Sequence, residues 1–435
     1  MKPINVGLLG TGTVGGGTFK VLQRNSEEIS RRAGCTIRIA VVADKDVVRA
    51  KAVAGDAARV TGDAFEVVND PQVDVVVELI GGYTIAKELM LKAIANGKHV
   101  VTANKALLAI HGNEIFSAAR KQGVMVAFEA AVGGGIPIIK SLREGLSANR
   151  IEWIAGIING TSNFILSEMR AKGAAFADVL KEAQNKGYAE ADPTFDIEGV
   201  DAAHKLAIMA AIGFGIPVQF DKAYVEGISK LAQQDIRYAE ELGYRIKLLG
   251  IAKRKAAGFE LRVHPTLIPA RQLIANVEGV MNAILVKGDA VGQTMYYGAG
   301  AGAEPTASAV VADLVDVARA LTADPEHRVP HLAFQHDQLS NVPILPMGEV
   351  ETSYYLRLRV ADKAGVLADI TRILADQAIS IEALVQKPHD GEEYVDIILL
   401  THLTREKKID AAIRSIEALP VVSGKITRIR MEALQ

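Results

Sequence analysis

Between Gly187 and Ala210 the chain reads GYAEADPTFDIEGVDAAHKLAIMA, which sets five acidic residues and one lysine against an apolar run. Helical periodicity begins near Val200 and places Asp201 and Lys205 at i and i+4 on one helix face, ahead of Leu206, Ala207, Ile208, Met209 and Ala210. An amine carried into such surroundings needs a paired carboxylate, and Asp201 stands one turn earlier. Upstream, Glu190, Asp192 and Asp196 lie on a Gly- and Pro-punctuated segment, from which they can converge on the helix start and hold a cationic amino group. The same charges also suit a solvated loop followed by a surface ion pair worth ~0.3–0.5 kcal/mol. Charge pattern alone does not separate the two.

A second constellation opens the chain. The apolar strand Ile4-Asn5-Val6-Gly7-Leu8-Leu9 runs into Gly10-Thr11-Gly12-Thr13-Val14-Gly15, then into a helix through about Glu28 and a strand from Ile37 to Ala43. In that βαβ context the G-x-G-x-x-G spacing predicts a dinucleotide site. The first glycine allows the tight turn, the second a close approach of backbone to pyrophosphate, and the third the packing of helix on strand. Asp44, at the end of the second strand, is placed to hold a ribose 2′-hydroxyl and favours NAD, whereas Lys45 and Arg49 can meet a 2′-phosphate, so NAD and NADP both stay open. Lys105 falls at the carboxyl end of a later strand, beside the expected nicotinamide crevice, where a helix-start lysine in solvent would look the same. Glu129 precedes Ala130-Ala131-Val132-Gly133-Gly134-Gly135-Ile136-Pro137, an irregular turn that can aim carbonyl oxygens at a cation or serve as a hinge. Gly298-Ala299-Gly300-Ala301-Gly302 leads into a helix running to about Leu321, as a phosphate-approaching loop or a plain connector would.

The elements that must position these residues divide into three regions. Strands at Val73–Ile80, Val100–Ala103 and Val124–Ala127, with helices at 84–96 and 107–121, extend the opening unit into a doubly wound Rossmann-type α/β domain, residues 1–135. Residues 136–337 read as an α+β substrate-binding domain on a mostly antiparallel sheet. Its strands are expected at Ile151–Ile158, Tyr244–Ala252, Leu261–Pro265, Ala275–Val280 and Ala283–Val286, and its helix 304–321 is expected to pack back on the nucleotide domain. A linker at 338–352 carries Pro343 and Pro346, and residues 353–435 read as a ferredoxin-like βαββαβ module with a last strand at Val421–Arg430. The length of 435 residues suits that organisation. A net charge of -2, from 49 basic and 51 acidic residues, offers no footprint for nucleic acid or an anionic membrane. The single cysteine, Cys35, fits a reducing compartment, and the opening strand shows no signal segment, so the reading is cytoplasmic.

Taken in order, GTGTVGGG, TANKALLA, FEAAVGGGIP, NGTSNFIL, GYAEADPTFDIEGVDAAHKL and GAGAGAEPTASAVV resemble homoserine dehydrogenases over nearly the whole chain, and the carboxy-terminal module resembles an ACT domain. The resemblance implies reversible, NAD- or NADP-dependent interconversion of L-homoserine and L-aspartate 4-semialdehyde. It implies Lys205 as proton donor, Asp201 as the carboxylate that places it, and Lys105 as a lysine meeting cofactor and substrate. Glu190, Asp196 and Thr161 match the substrate pocket, and Gly302 matches a cofactor contact. Glu129, Val132, Gly134 and Ile136 match a site for a monovalent cation, Na+ or K+. The ACT module implies L-threonine as a feedback effector and a homo-oligomer, dimer or tetramer, and its removal after about Val342 is expected to leave a catalytic core. Other readings are another ACT-bearing dehydrogenase, which would place its fingerprint in mid-chain, and an amino-acid sensor without turnover.

Overall fold

The computed structural model describes residues 3–386 and 393–434. Its amino-terminal sheet contains β1 (Ile4–Leu9), β2 (Ile37–Ala43), β3 (Arg59–Thr61), β4 (Val75–Glu78), β5 (His99–Thr102) and β6 (Val126–Ala127) in the order β3-β2-β1-β4-β5-β6, all parallel. Strands buried on both faces need helices on both sides, and the sequence supplies them. The helices α1 (Thr13–Arg24), α2 (Ser26–Ala33) and α3 (Val47–Ala54) cover one face, with Phe19, Leu22 and Ile29 in its core. On the other lie α4 (Ala64–Asn69), α5 (Ile85–Ala95) and α6 (Lys105–Lys121), which bury Leu89, Met90, Leu107 and Ile115. The strand order reverses between β1 and β4, so the crevice of this sheet opens above the glycine turn.

The short α7 (Ile138–Lys140) leads to a second, mixed sheet. It begins with β7 (Ile151–Ile157), after which α8 (Gly160–Lys172), α9 (Phe176–Asn185), α10 (Thr194–Ile197) and α11 (Val200–Phe214) follow in succession. Every residue of α11 from Asp201 to Phe214 is buried, as a helix apolar on all sides must be. Next come β8 (Tyr224–Val225), α12 (Gln233–Glu241), β9 (Tyr244–Lys255), β10 (Gly258–Pro269), β11 (Met281–Gly288) and β12 (Gly292–Ala299). Alternation decides the two faces of this sheet: Ile154, Ile158, Leu248 and Ala252 join the core that holds α11, whereas Trp153, Ala155, Leu249 and Ile251 meet Ile274 and Val277. Then α13 (Ala303–Ala320) returns to the first sheet, where Val310 and Leu314 complete the core over α1.

The carboxy-terminal module comprises β13 (Glu351–Ala361), α14 (Val366–Asp376), β14 (Ile381–Gln386), β15 (Tyr394–Thr401), the two-residue β16 (Thr404–Arg405), α15 (Glu406–Glu417) and β17 (Thr427–Met431). Its sheet is continuous with the catalytic one, in the order β12-β11-β7-β9-β10-β17-β13-β15-β14, because β17 pairs in parallel with β10 through Thr266–Arg430 and Leu267–Met431. One face, with Tyr354, Leu356 and Leu358, packs on its own helices. From the other face Tyr355 and Arg357 reach Asp235 of α12.

Several elements differ from the sequence reading. The expected strand Ala275–Val280 is a 3-10 turn, Leu273–Asn276, followed by irregular backbone; the carbonyls of Val277 and Gly279 there, and of Met281 at the start of β11, accept from the Asn163 amide. A side chain there supplies the hydrogen bonds that a neighbouring strand would have given. Residues 292–299 form a full strand ahead of the glycine loop, and the first helix breaks at Asn25 into α1 and α2. The last strand starts at Thr427, since Gly424 turns the chain with φ of 75°. The proline-bearing linker is tied down: Phe259 donates its amide to Pro343, and Leu345 donates to Phe259. The strand pattern from Ile379 to Lys387 is met by β14 as far as Gln386, and Lys387 lies outside the described residues.

Candidate active site

The buried head of α11 collects the charges. Lys205 Nζ donates to Asp201 Oδ2 at 2.7 Å and to the Ile158 carbonyl at the end of β7 at 2.8 Å. From the other sheet, Lys105 at the first turn of α6 brings its Nζ within 3.2 Å of Asp201 Oδ1. One carboxylate therefore joins two ammonium groups delivered by two domains. Asn159, the N-cap of α8, completes the cluster: its Nδ2 donates to Asp196 at 2.7 Å and to Asp201 at 2.8 Å, and its Oδ1 accepts from Ser162 N. Thr161 is one helical step away, its hydroxyl donating to the Tyr188 carbonyl at 2.6 Å. Glu190 is exposed on the preceding loop and shares no hydrogen bond with Asp201, Lys105 or Lys205 among the described residues.

Burial alone would push the Asp201 carboxyl up, but the ammonium groups of Lys205 and Lys105 outweigh it and hold Asp201 well below the usual carboxylate range. For Lys205 the balance runs the other way. Burial, helped by the positive Lys105, lowers the Lys205 amine below its ordinary value despite the opposing pull of Asp201. Asp196 is raised, first by burial and then by the charge of Asp201, with the Asn159 hydrogen bond opposing. The site thus holds a fixed anion, an amine eased toward its neutral form and a second carboxyl that gains a proton more readily than usual. Such a trio can exchange a proton with a substrate oxygen and hold an ammonium group.

The glycine turn fits a dinucleotide. A Cβ on Gly15 would stand 2.0 Å from the Gly10 carbonyl oxygen, so nothing larger than glycine can occupy that corner, while the space above Gly12 is open for a ligand. Thr13 and Val14 form the first turn of α1, and Gly302 caps α13, whose Ala303 packs on α1.

The comparisons fall on this architecture piece by piece. Residues 10–129 match the model described as homoserine dehydrogenase, NAD binding domain; residues 137–315 match homoserine dehydrogenase; residues 354–421 match the ACT domain. The homoserine dehydrogenase of Pseudomonas aeruginosa is 65% identical over 435 residues, with 100% of both chains covered. The chain belongs to the homoserine dehydrogenase family. A crystal structure of a homoserine dehydrogenase from Thiobacillus denitrificans superimposes with a TM-score of 0.96 at 71% identity, covering 100% of this chain and 99% of that one. A hyperthermophilic archaeal homoserine dehydrogenase in complex with NADPH gives a TM-score of 0.63 at 25% identity, covering 73% of this chain and 98% of that one. The protein is thus an oxidoreductase with a nicotinamide-binding domain, and its family implies homoserine and aspartate semialdehyde as substrates. No helix among the described residues is long and apolar enough to cross a membrane.

In this homoserine dehydrogenase framework Asp44 is already engaged. Burial raises it, but its Oδ2 accepts from the Thr11 hydroxyl at 2.6 Å and the Thr11 amide at 2.7 Å, Asp46 N donates to Oδ1, and Arg49 bridges both oxygens at 3.0 Å; together these hold Asp44 well below the usual range. Glu129 is likewise committed. Both its oxygens accept backbone amides at the start of α7, from Ile139 at 2.9 Å and Lys140 at 2.7 Å, and burial pushes its carboxyl up to about 7. Of the neighbouring backbone oxygens, that of Ile136 already accepts from Ile138 N at 2.8 Å.

Sequence reasoning passed over several residues that shape the site. The Asn159 bridge was carried by an Asn before a glycine at a helix start, a capping signal that says nothing about the distant carboxylates it also serves. Glu78, a lone acid in an apolar strand, is fully buried and accepts from Ile80 N, Gly81 N and the Thr102 hydroxyl, fixing the mouth of the crevice. Asn104 caps α6 and donates to the Gly82 carbonyl, which orients the turn that launches Lys105.

Proposed function

We propose that Lys205 exchanges the proton on the substrate oxygen as aspartate 4-semialdehyde and homoserine interconvert, with Asp201 and Lys105 as its partners. The observation that carries this reading is the Lys205–Asp201–Lys105 chain, in which Lys205 and Asp201 are buried and Lys105 reaches them from the other domain with a third of its side chain exposed. The nicotinamide, when bound, donates or accepts the hydride. Everything else falls to protein groups. Lys205 protonates the oxygen in reduction and takes the proton back in oxidation. Asp201 keeps its amine aimed, and Lys105 stabilises negative charge on the oxygen as it develops. Asp196 and Glu190 receive the substrate ammonium, with Thr161 at the rim.

NAD and NADP both fit. Arg49 is half exposed beside Asp44 and can turn to a 2′-phosphate, in keeping with the archaeal relative's NADPH complex, whereas Asp44 released from Arg49 can meet a 2′-hydroxyl. Gly302 and Lys105 complete the cofactor contacts. Glu129, Val132, Gly134 and Ile136 are the candidate holders of a monovalent cation. The ACT module is the candidate receptor for L-threonine in a homo-oligomer.

The test is a pH series on wild type and Lys205→Ala with each dinucleotide. Homoserine oxidation needs the neutral amine, so its kcat rises with pH and levels above a pKa below the ordinary lysine value of ~10.4, while reduction falls over the same range. Lys205→Ala loses about 10²- to 10⁴-fold in kcat and the alkaline limb with it. A folded variant with dinucleotide bound and near-wild-type turnover would sink the assignment.

A further inference from the structure

The far edge of β10 is shared end to end by two partners. β8 of the catalytic region pairs with it at Arg262 and Val263, and β17 of the carboxy-terminal module pairs with it at Thr266 and Leu267. Arg430 of β17, with no exposed surface, spans the seam. Its Nη1 donates to Glu226 at 2.7 Å, its Nη2 donates to the Tyr224 hydroxyl at 3.0 Å, and its guanidinium lies over the Tyr224 ring. Its Nε donates to Glu406 of the module at 2.9 Å, and Glu406 also accepts from the Tyr354 hydroxyl. Tyr224 donates to Glu226 in turn, closing the ring of contacts.

Directly behind Glu226 lies the segment that launches α11. Glu226 N donates to the Val263 carbonyl and Ile228 N to the Ile197 carbonyl, both at 2.8 Å. A Cβ on Gly227 would stand 2.4 Å from Glu198 Cα, and Gly199, the α11 N-cap at φ of 83°, packs on Val263, Val225 and the Glu226 carbonyl. Asp196 and Asp201 flank that turn. Backbone packed this closely cannot move on one side without moving on the other.

The structure assigns to Arg430 a positioning role: through Glu226 and the 226–228 segment, the last strand of the ACT module sets the turn that presents Asp196 and Asp201. The inference rests on the proposed role of the Asp201–Lys205 pair and goes beyond it. Arg430 suits the role because a planar fork can bind Glu406 and Glu226 together, which a lysine point charge cannot.

The experiment compares Glu226→Gln, Arg430→Lys and Asp235→Asn in the full-length chain, with Lys205→Ala alongside. Asp235→Asn weakens a different contact of the module, to Arg357 and Tyr355, without touching residues 224–228. Expected for Glu226→Gln and Arg430→Lys is a fall in kcat for homoserine oxidation of about tenfold or more, the scale of small misplacements in an active site, with a shifted alkaline limb and an unchanged KM for dinucleotide. Asp235→Asn lowers the melting temperature but keeps kcat and the limb. Wild-type kcat and pH profile in both seam variants, or the same limb shift in Asp235→Asn, overturns the positioning role. An active Lys205→Ala would instead strike at the site assignment on which the inference rests.

Discussion

At the scale of single residues, Asn159 decides how two acids can share one buried corner. Its Nδ2 donates to both Asp196 and Asp201, so it screens like charges that would otherwise repel. Replacing it by alanine leaves both oxygens short of a donor, a loss of about 1–3 kcal/mol, or roughly 5- to 150-fold in kcat/KM for homoserine. Dinucleotide affinity should hold, since the Asn159 side chain bonds to Asp196, Asp201 and Ser162 and not to the glycine turn; steady-state kinetics with cofactor titration checks both, and an unaltered kcat/KM would count against the bridge. The sequence made Lys205 and Asp201 legible because charge in an apolar helix is costly and shows as an i,i+4 pair. It could not show Lys105 reaching Asp201, a contact between two domains 96 residues apart in the chain. Nor could it show that Asp44 and Glu129 give their oxygens to neighbouring donors, because those partners depend on local backbone geometry.

Elements were legible where one force dominated. The opening β1-turn-α1 unit follows from apolar strand and glycine spacing, and the buried α11 from its unbroken apolar run. Reading failed where side chains replaced strand hydrogen bonds, as at Val277 and Gly279, and where Gly298 and Gly300 masked the end of the paired strand β12. The short strand β6 illustrates another dependence hidden from sequence. Its start is held by two histidines acting as acceptors, His99 Nδ1 for Met125 N and His331 Nε2 for Val126 N. Burial lowers both imidazoles to about 4, with the charge of Arg328 also acting on His99 and that of Arg143 on His331. Unfolded histidines take up protons at about 6.5, so between those values the unfolded chain binds more protons than the folded one. Their contribution is full above pH about 6.5 and is lost progressively as pH falls toward about 4. The melting temperature should therefore fall over that window, and His331→Gln, which keeps an acceptor without titrating, should flatten the slope. An equal slope in the variant would remove His331 from the account.

For the whole molecule, the βαββαβ pattern of the last region was readable from periodicity, and it matches the ACT model. What periodicity cannot convey is attachment. A proline-bearing linker suggests a separable module, yet its last strand extends the catalytic sheet and its other face meets α12 through Tyr355 and Arg357. The archaeal relative is 98% covered by 73% of this chain, so the family includes shorter members. In this chain the seam changes the outcome of cutting after Val342. Removal of β17 strips the β10 edge at Thr266 and Leu267 and takes Glu432 from buried Arg262 and partly exposed Lys253, and Arg430 from Glu226. Breaking one buried pair by losing a partner costs about 3–5 kcal/mol, against a typical total stability of about 5–15 kcal/mol. An uncovered strand edge also invites association. The truncated chain should accordingly melt well below the intact protein, aggregate on concentration and show depressed kcat, where a detachable sensor would leave an uninhibited enzyme. Light scattering, calorimetry and homoserine turnover on the two forms separate these outcomes. A monodisperse fragment with parental melting temperature and kcat would mean that the seam transmits nothing the catalytic half requires.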